Sequence, residues 1–329
     1  MPLKLSTYSQ SRDIPPLPPG CDTFHSIDLF RLYEATSGYT PLLVVASEEG
    51  KPVGRLLGVI QKSIHLYPLS FTRRCEVFGT GEYADEVTDR EAVFDELLQQ
   101  LTDMALREAF VIEFRNLSNA LFGYKAFRQH HYFPVNWLRV YNSLHDCPRV
   151  EARFSPSRIR QIRKGLKNGA EVRQAQTVEE VYEFAHILYK IYSSKIRRFF
   201  PDKAFFSHLA KQLMRESGKA RIFIVTYKGK IIGGSACIYS GDTAYLWFSG
   251  GMRNAYRLQY PGVLAVWGAL QDAAQAGFRH LEFMDVGLPF RRHGYRDFVL
   301  RFGGRQVGTR RWFRFRWEWL NRLFNWFYK

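Results

Sequence analysis

The sequence predicts an α/β fold, a tandem duplication of a mixed, mainly antiparallel sheet flanked by helices. Three observations carry this. Residues 221–285 read as three strands, a helix and a fourth strand that ends on an acid. The first half shows the same order: a hairpin, a Gly-containing loop, an amphipathic helix and a short strand. Short segments also recur in the same order in both halves. Gly-Lys-Pro-Val-Gly54 corresponds to Gly-Lys-Ile-Ile-Gly233, and Val-Ile-Glu113-Phe-Arg to His-Leu-Glu282-Phe-Met.

Taken in order, residues 1–21 contain Ile14-Pro-Pro-Leu-Pro-Pro-Gly20 and read as an extended lead-in, because proline excludes helix and inner strand. A short helix is expected over 22–36. Pro41–Ser47 and Pro52–Ile60 form a hairpin around Glu48-Glu-Gly-Lys51, and Arg74–Phe78 is a further strand before the Gly79-Thr-Gly81 turn. Glu91–Glu108 is a helix with Val93, Phe94, Leu97, Leu98, Leu101 and Ala105 on one face, and Phe110–Phe114 is the strand after it. Tyr132–Asn142 reads as a crossing strand and 144–149, with Pro148, as a linker.

The second half opens on an acid-free helix over 155–169, which Ser155 or Ser157 can cap and Gly169 can end. Arg160, Arg163, Lys164 and Lys167 fall at i, i+3, i+4 and i+7, a single basic stripe suited to phosphate. Thr177-Val-Glu-Glu180 is a capping box, and a second helix follows over Lys203–Glu216. Arg221–Tyr227, Ile231–Tyr239 and Thr243–Ser249 are strands joined by short Gly turns. Pro261 opens a helix that Gly277 closes, and His280–Met284 is a strand with Asp285 at its carboxyl end. The crevice at such strand ends is where ligands bind in α/β sheets. The domains are therefore expected at 22–143 and 144–310, followed by a basic, aromatic amphipathic helix at 311–329.

Composition narrows the partners. The chain has 329 residues and a net charge of +16. Residues 1–150 carry 15 Lys/Arg against 18 Asp/Glu, and the rest carry 32 against 13, so the excess sits entirely in the second half. A polyanionic partner is expected there, whether nucleic acid, phosphorylated substrate or anionic membrane. No apolar run is long enough to span a membrane and no secretory signal is visible, so a cytoplasmic chain is expected. Cys21, Cys75, Cys147 and Cys237 form no CxxC pair, and neither a metal site nor a disulfide framework is implied.

The run Ser-Arg-Ile-Arg-Gln-Ile-Arg-Lys-Gly-Leu-Lys-Asn-Gly169 precedes Gly-Lys-Ile-Ile-Gly-Gly-Ser-Ala236. Tyr-Leu-Trp-Phe-Ser-Gly-Gly251, Phe-Met-Asp-Val-Gly287 and Phe-Val-Leu-Arg-Phe-Gly-Gly304 follow. Together these motifs resemble the FemABX-like peptidyltransferases and their relatives among GNAT-type N-acyltransferases, over roughly residues 22–310. The resemblance implies a tandem GNAT fold. It also implies transfer of an aminoacyl group from tRNA, or an acyl group from coenzyme A, to an amine, with the donor as a co-substrate. Several members act on cell-wall (peptidoglycan) precursors at the cytoplasmic membrane face. Gln259-Tyr-Pro-Gly262-Val-Leu stands where coenzyme A-using members carry a pyrophosphate loop, which marks Gln259 and Gly262 as cofactor-binding candidates. The loop lacks that pattern's last small residue. Phe298-Val299 stands where the FemABX-like pattern has Phe-Lys, and Arg301 is the expected substitute charge.

Acyl transfer needs a deprotonated amine, a polarised carbonyl and placement of both. Asp285 and Tyr256 are the catalytic candidates, Tyr245 and Trp247 line an expected acceptor groove, and Arg291 and Arg292 rim it for phosphate. The expected activity is N-acyl transfer to an amine of a phosphorylated or lipid-linked envelope precursor. The rival readings are acyl-coenzyme A or acyl-carrier-protein chemistry on a small amine, and non-catalytic binding of nucleic acid such as tRNA. The 311–329 segment, basic and rich in Trp and Phe, is the composition of an interfacial membrane helix, and no partner protein is implied.

Overall fold

The computed structural model describes residues 3–62, 73–117, 119–145, 149–192 and 200–328. Pro148 and Cys147, singled out in the sequence, lie outside the described residues. The chain forms two units, 1–137 with 308–329, and 138–307.

In the first unit β1 (Lys4–Tyr8), β2 (Tyr39–Glu48), β3 (Lys51–Lys62) and β4 (Arg73–Phe78) are successive antiparallel neighbours. Helix α1 (Ile27–Ala35) packs on β2, and the two-residue β5 (Glu82–Tyr83) pairs with β3. Helix α2 (Arg90–Glu108), capped by Asp89, then carries the chain to β6 (Val111–Arg115), parallel to β4. A short helix, α3 (Tyr124–Gln129), precedes β7 (Phe133–Ser143).

The second unit repeats the plan. Helix α4 (Pro156–Lys167), capped by Ser155, leads to β8 (Ala170–Gln174). After it come α5 (Val178–Ile191), whose capping box is formed as expected, and α6 (Lys203–His208), which continues as π-helix through Glu216. Strands β9 (Ala220–Tyr227), β10 (Lys230–Ser240) and β11 (Thr243–Gly251) are antiparallel. Helix α7 (Pro261–Gln275) crosses to β12 (His280–Phe283), parallel to β11, and β12 pairs antiparallel with β7. Helix α8 (Gly294–Leu300), β13 (Arg305–Phe315) and α9 (Glu318–Phe327) end the chain. The sheets are mainly antiparallel, each with one parallel pair bridged by a helix.

The repeat extends to backbone detail. The β2–β3 turn holds Glu49 and Gly50 at φ 50° and 81°, and the β9–β10 turn holds Lys228 and Gly229 at 49° and 74°. Positive φ at both central residues is the I′ geometry that matches strand twist. The pairing also slips once near the start of β3 and of β10, past Val53 and Ile232, which are equivalent positions of the repeat. Each bulge turns the strand just beyond its hairpin.

Three expectations need correction. Residues 4–8 of the lead-in are strand β1, because Leu3 and Leu5 join the first unit's core and the prolines begin only later. The expected helix over 311–329 starts at Glu318. Residues 305–315 are strand, and Trp312 is fully buried, stacked on Phe127 at 4.7 Å. A strand covered on both faces shows no alternation, so its aromatics blended into the helical period that follows. The unit boundary falls at 137/138 rather than in the 144–149 linker, and 308–329 joins the first unit. The reason lies in strand pairing: β7 pairs with β12 over 140–143, and β13 pairs with β6 over 311–315.

Candidate active site

The parallel strands of the two units behave differently at their carboxyl ends. In the first unit β4 and β6 stay paired through Phe78 and Arg115, and the Gly79 N–H donates to the Arg115 carbonyl at 2.9 Å. Charges fill the face beside them: Glu76 meets Arg115 (2.6 Å) and Arg74 (2.9 Å), and Glu113 meets Arg115 (3.0 Å) and Arg311 (2.7 Å). Burial alone would raise the Glu113 carboxyl, but the guanidiniums of Arg115 and Arg311 outweigh it and hold it at about 2. Glu113 and Arg115 are thus engaged in ion pairs at that strand end.

In the second unit β11 and β12 pair from Thr243/His280 only to Leu246/Phe283. Trp247 then bulges out of the β10–β11 ladder, and β11 runs on to Gly251 beside β10 alone. The parallel pairing therefore ends at Leu246/Phe283, where β12 stops while β11 goes on. Two phenols lie beside this last part of β11. Tyr192, just past α5, donates to the Ser249 carbonyl at 3.2 Å, and the Tyr295 hydroxyl of α8 lies 3.4 Å from Ser249 Oγ. Burial pushes Tyr192 up to about 12. Burial also raises Tyr295, with Tyr192 and Asp285 nearby adding to it, so Tyr295 is a protonated donor at neutral pH.

Asp285 is exposed at the end of β12, close enough for its charge to act on Tyr295. The loop after it is clamped from behind by the buried Arg296, which donates to the carbonyls of Leu288 (2.8 Å), Arg291 (2.5 Å) and Val286 (3.4 Å). Gly287, at φ 83°, lets His293 close over it, since a β-carbon there would fall 2.8 Å from the imidazole. Arg291 and Arg292 are exposed on this loop. Tyr245 stands across from Glu282 in register and Trp247 packs on Phe205 at 5.4 Å. Glu282 is buried against Arg139 at 3.0 Å, and burial raises its carboxyl to about 7, more than Arg139 lowers it.

The other candidates lie elsewhere in the unit. Tyr256 packs edge-on against Tyr227 at 6.1 Å beside the core. Arg160, Arg163, Lys164 and Lys167 form an exposed stripe on α4, while Arg158 turns inward between the rings of Phe298 and Phe302. Arg301 lies close enough to Arg158 to join burial in lowering its pKa to about 10. Helix α4 also holds the loop before α7. Asn168 donates to the Leu258 carbonyl at 2.8 Å, and Gly165 admits the Gln259 carbonyl, which a β-carbon would meet at 2.6 Å. The α4 face that meets this loop is the one opposite the basic stripe, which stays turned to the outside, while Gln259 and Gly262 stand at the α7 N-terminus, an anion-favouring end. Gly251 lets β11 pass under it, since a β-carbon there would lie 2.5 Å from the Gly262 nitrogen. Arg163 also borders a groove of about 650 Å³ with Ile159, Ile162, Leu166 and Trp267.

Residues 156–298 match the family model described as an acetyltransferase (GNAT) domain. The chain has a tandem GNAT fold. Solved structures agree along nearly its whole length. The FemX crystal structure superposes with a TM-score of 0.66 at 13% identity, covering 93% of this chain and 95% of that one. A tandem GNAT protein from the clavulanic acid biosynthesis pathway gives 0.58 at 10% identity, covering 96% and 99%. The C-terminal domain of a putative lysylphosphatidylglycerol synthetase from Agrobacterium fabrum gives 0.57 at 12%, covering 91% and 90%. No curated protein matches the chain. The matched residues 156–298 fall in the second unit, the one in which the β11–β12 pairing ends early.

Tyr192, Tyr295 and Arg296 escaped the sequence reading. A tyrosine at the start of a helix shortly after Asp285 was a usable signal for Tyr295, while nothing local marks Arg296 as a clamp.

Proposed function

We propose that the second unit is an N-acyltransferase that moves an aminoacyl or acyl group from an anionic carrier to an amine. The acceptor is a phosphorylated or lipid-linked cell-envelope precursor. The observation that carries this reading is the end of the β11–β12 pairing at Leu246/Phe283, with a protonated Tyr295 beside Ser249 and Asp285 exposed just past β12. The amine attacks the acyl carbonyl, forming the C–N bond while the C–O bond of an aminoacyl ester, or the C–S bond of a thioester, breaks. Asp285 takes the proton the amine sheds, and Tyr295 gives its proton to the departing oxygen or sulfur. The α4 stripe and the α7 N-terminus hold the carrier's phosphates, and Arg291 and Arg292 those of the acceptor. The likeness to FemX and to a lysylphosphatidylglycerol synthetase domain supports an aminoacyl donor and an envelope acceptor.

Thermal stabilisation of the purified chain tests the reading, since a ligand of the native state raises Tm by mass action. Aminoacyl-tRNA is expected to raise Tm more than uncharged tRNA, at both low and moderate salt. A shift with acyl-coenzyme A alone would transfer the activity to that donor. Equal shifts with charged and uncharged tRNA that vanish in salt would make the unit a polyanion binder and contradict acyl transfer.

A further inference from the structure

The C-terminal helix α9 has two apolar sides. The inner side is fixed to the first unit. Asn321 is buried, accepts from the Phe315 N–H at 2.7 Å and donates to its carbonyl at 2.9 Å, and Phe324 stacks on Phe133 at 5.4 Å. Arg128 further ties down Asn325 at 2.5 Å. The outer side carries Trp319, Leu323, Trp326 and Phe327, at i, i+4, i+7 and i+8, which place them on one face of the helix. With Trp317 before the helix and Tyr328 after it, these side chains are 42–70% exposed. So concentrated a run of exposed large apolar side chains marks an interaction surface.

Charge says what covers it. Between 308 and 328 there are five arginines and one acid, Glu318, and that acid is engaged by Arg314 (3.3 Å) and His131 (3.4 Å). Arg316 and Arg322 remain exposed beside the aromatic face. A second copy would bring these arginines together with no acid to meet them, whereas an anionic lipid surface meets them with phosphate. Trp and Tyr, apolar with a polar edge, prefer the headgroup boundary. No helix among the described residues is long and apolar enough to cross a membrane, and ten residues of helix extend about 15 Å, so α9 would lie flat.

We infer that the outer face of α9 is a docking surface for an anionic lipid membrane, with the aromatic side chains entering the headgroup boundary and Arg316 and Arg322 meeting lipid phosphates. The acyl-transfer reading is not needed for this.

The test is sedimentation of the full chain with phosphatidylcholine vesicles, with and without about one third phosphatidylglycerol. A W319A/W326A/F327A variant removes only exposed side chains, and its far-ultraviolet circular dichroism and Tm report that it folds. The wild type is expected to bind the phosphatidylglycerol vesicles, and the triple variant to bind at least about tenfold more weakly with an unchanged Tm. An R316Q/R322Q variant is expected to lose the salt-sensitive part of the binding. Equal binding by wild type and triple variant would overturn the inference, as would no vesicle binding. A wild-type dimer that the triple variant dissociates, without vesicle binding, would also overturn it and assign the face to a second copy.

Discussion

Tyr295 is the residue on which the proposed chemistry turns. Its hydroxyl is buried beside Ser249, and its raised pKa keeps the proton on the oxygen at neutral pH. Tyr295→Phe keeps the ring, which packs against Phe298 and Phe283, and removes the proton. Its kcat is expected to fall by about 10²-fold or more, the usual worth of a general acid, while KM and Tm stay close to wild type. Steady-state kinetics with the donor that stabilises the chain checks it, and an unchanged kcat would remove Tyr295 from the mechanism. Glu282 gives a pH signature. Its folded pKa of about 7 lies above the ordinary 4.5, so the native state holds the proton more tightly than the unfolded chain. Its contribution to stability is complete below pH 4.5 and is lost as pH rises through 7. Relative to Glu282→Gln, the wild type is expected to lose on the order of 3 kcal/mol between pH 4.5 and 8 in denaturant titrations. A pH-independent difference would place the Glu282 pKa at its ordinary value.

At the scale of elements, α4 turns a stripe of four cations outward and uses Arg158, Gly165 and Asn168 to fasten itself to the unit. The two jobs separate cleanly. Changing Arg160, Arg163, Lys164 and Lys167 together to Gln should leave Tm unchanged but weaken tRNA binding and flatten its salt dependence. Each lost phosphate contact lowers the log–log slope by about 0.7–0.9. An unchanged slope would show that the carrier binds elsewhere. The sequence made α4 legible because its period, cap and charge all act within one helix. The Thr177 capping box and the hairpin turns were legible for the same reason, each being a contact between near neighbours in the chain. Strand β13 was not, since what makes it a strand is pairing with β6, which lies in the other half of the sequence. The parting of β11 and β12 was equally hidden: it needs a bulge at Trp247 and a strand that stops at Phe283, and neither leaves a local pattern.

For the whole molecule, duplication explains how alike the two units are. The two units share turn geometry, bulge position and strand order. They differ where Glu113 is paired with Arg115 and Arg311 beside β6, and where the β11–β12 pairing ends at Leu246/Phe283. The recurring Glu113 and Glu282 were visible in the sequence as a repeat. Their opposite pKa shifts were not, because Arg74 and Arg311 join Arg115 around the first from two other strands, and Arg139 alone reaches the second, from β7. The most direct test of this account is amide hydrogen exchange on the full chain, with and without the donor that raises Tm most. Protection concentrated in 245–251, 259–264 and 285–296 is the result the account predicts. Protection confined to 76–81 and 111–116, or to the α4 stripe alone, would contradict it.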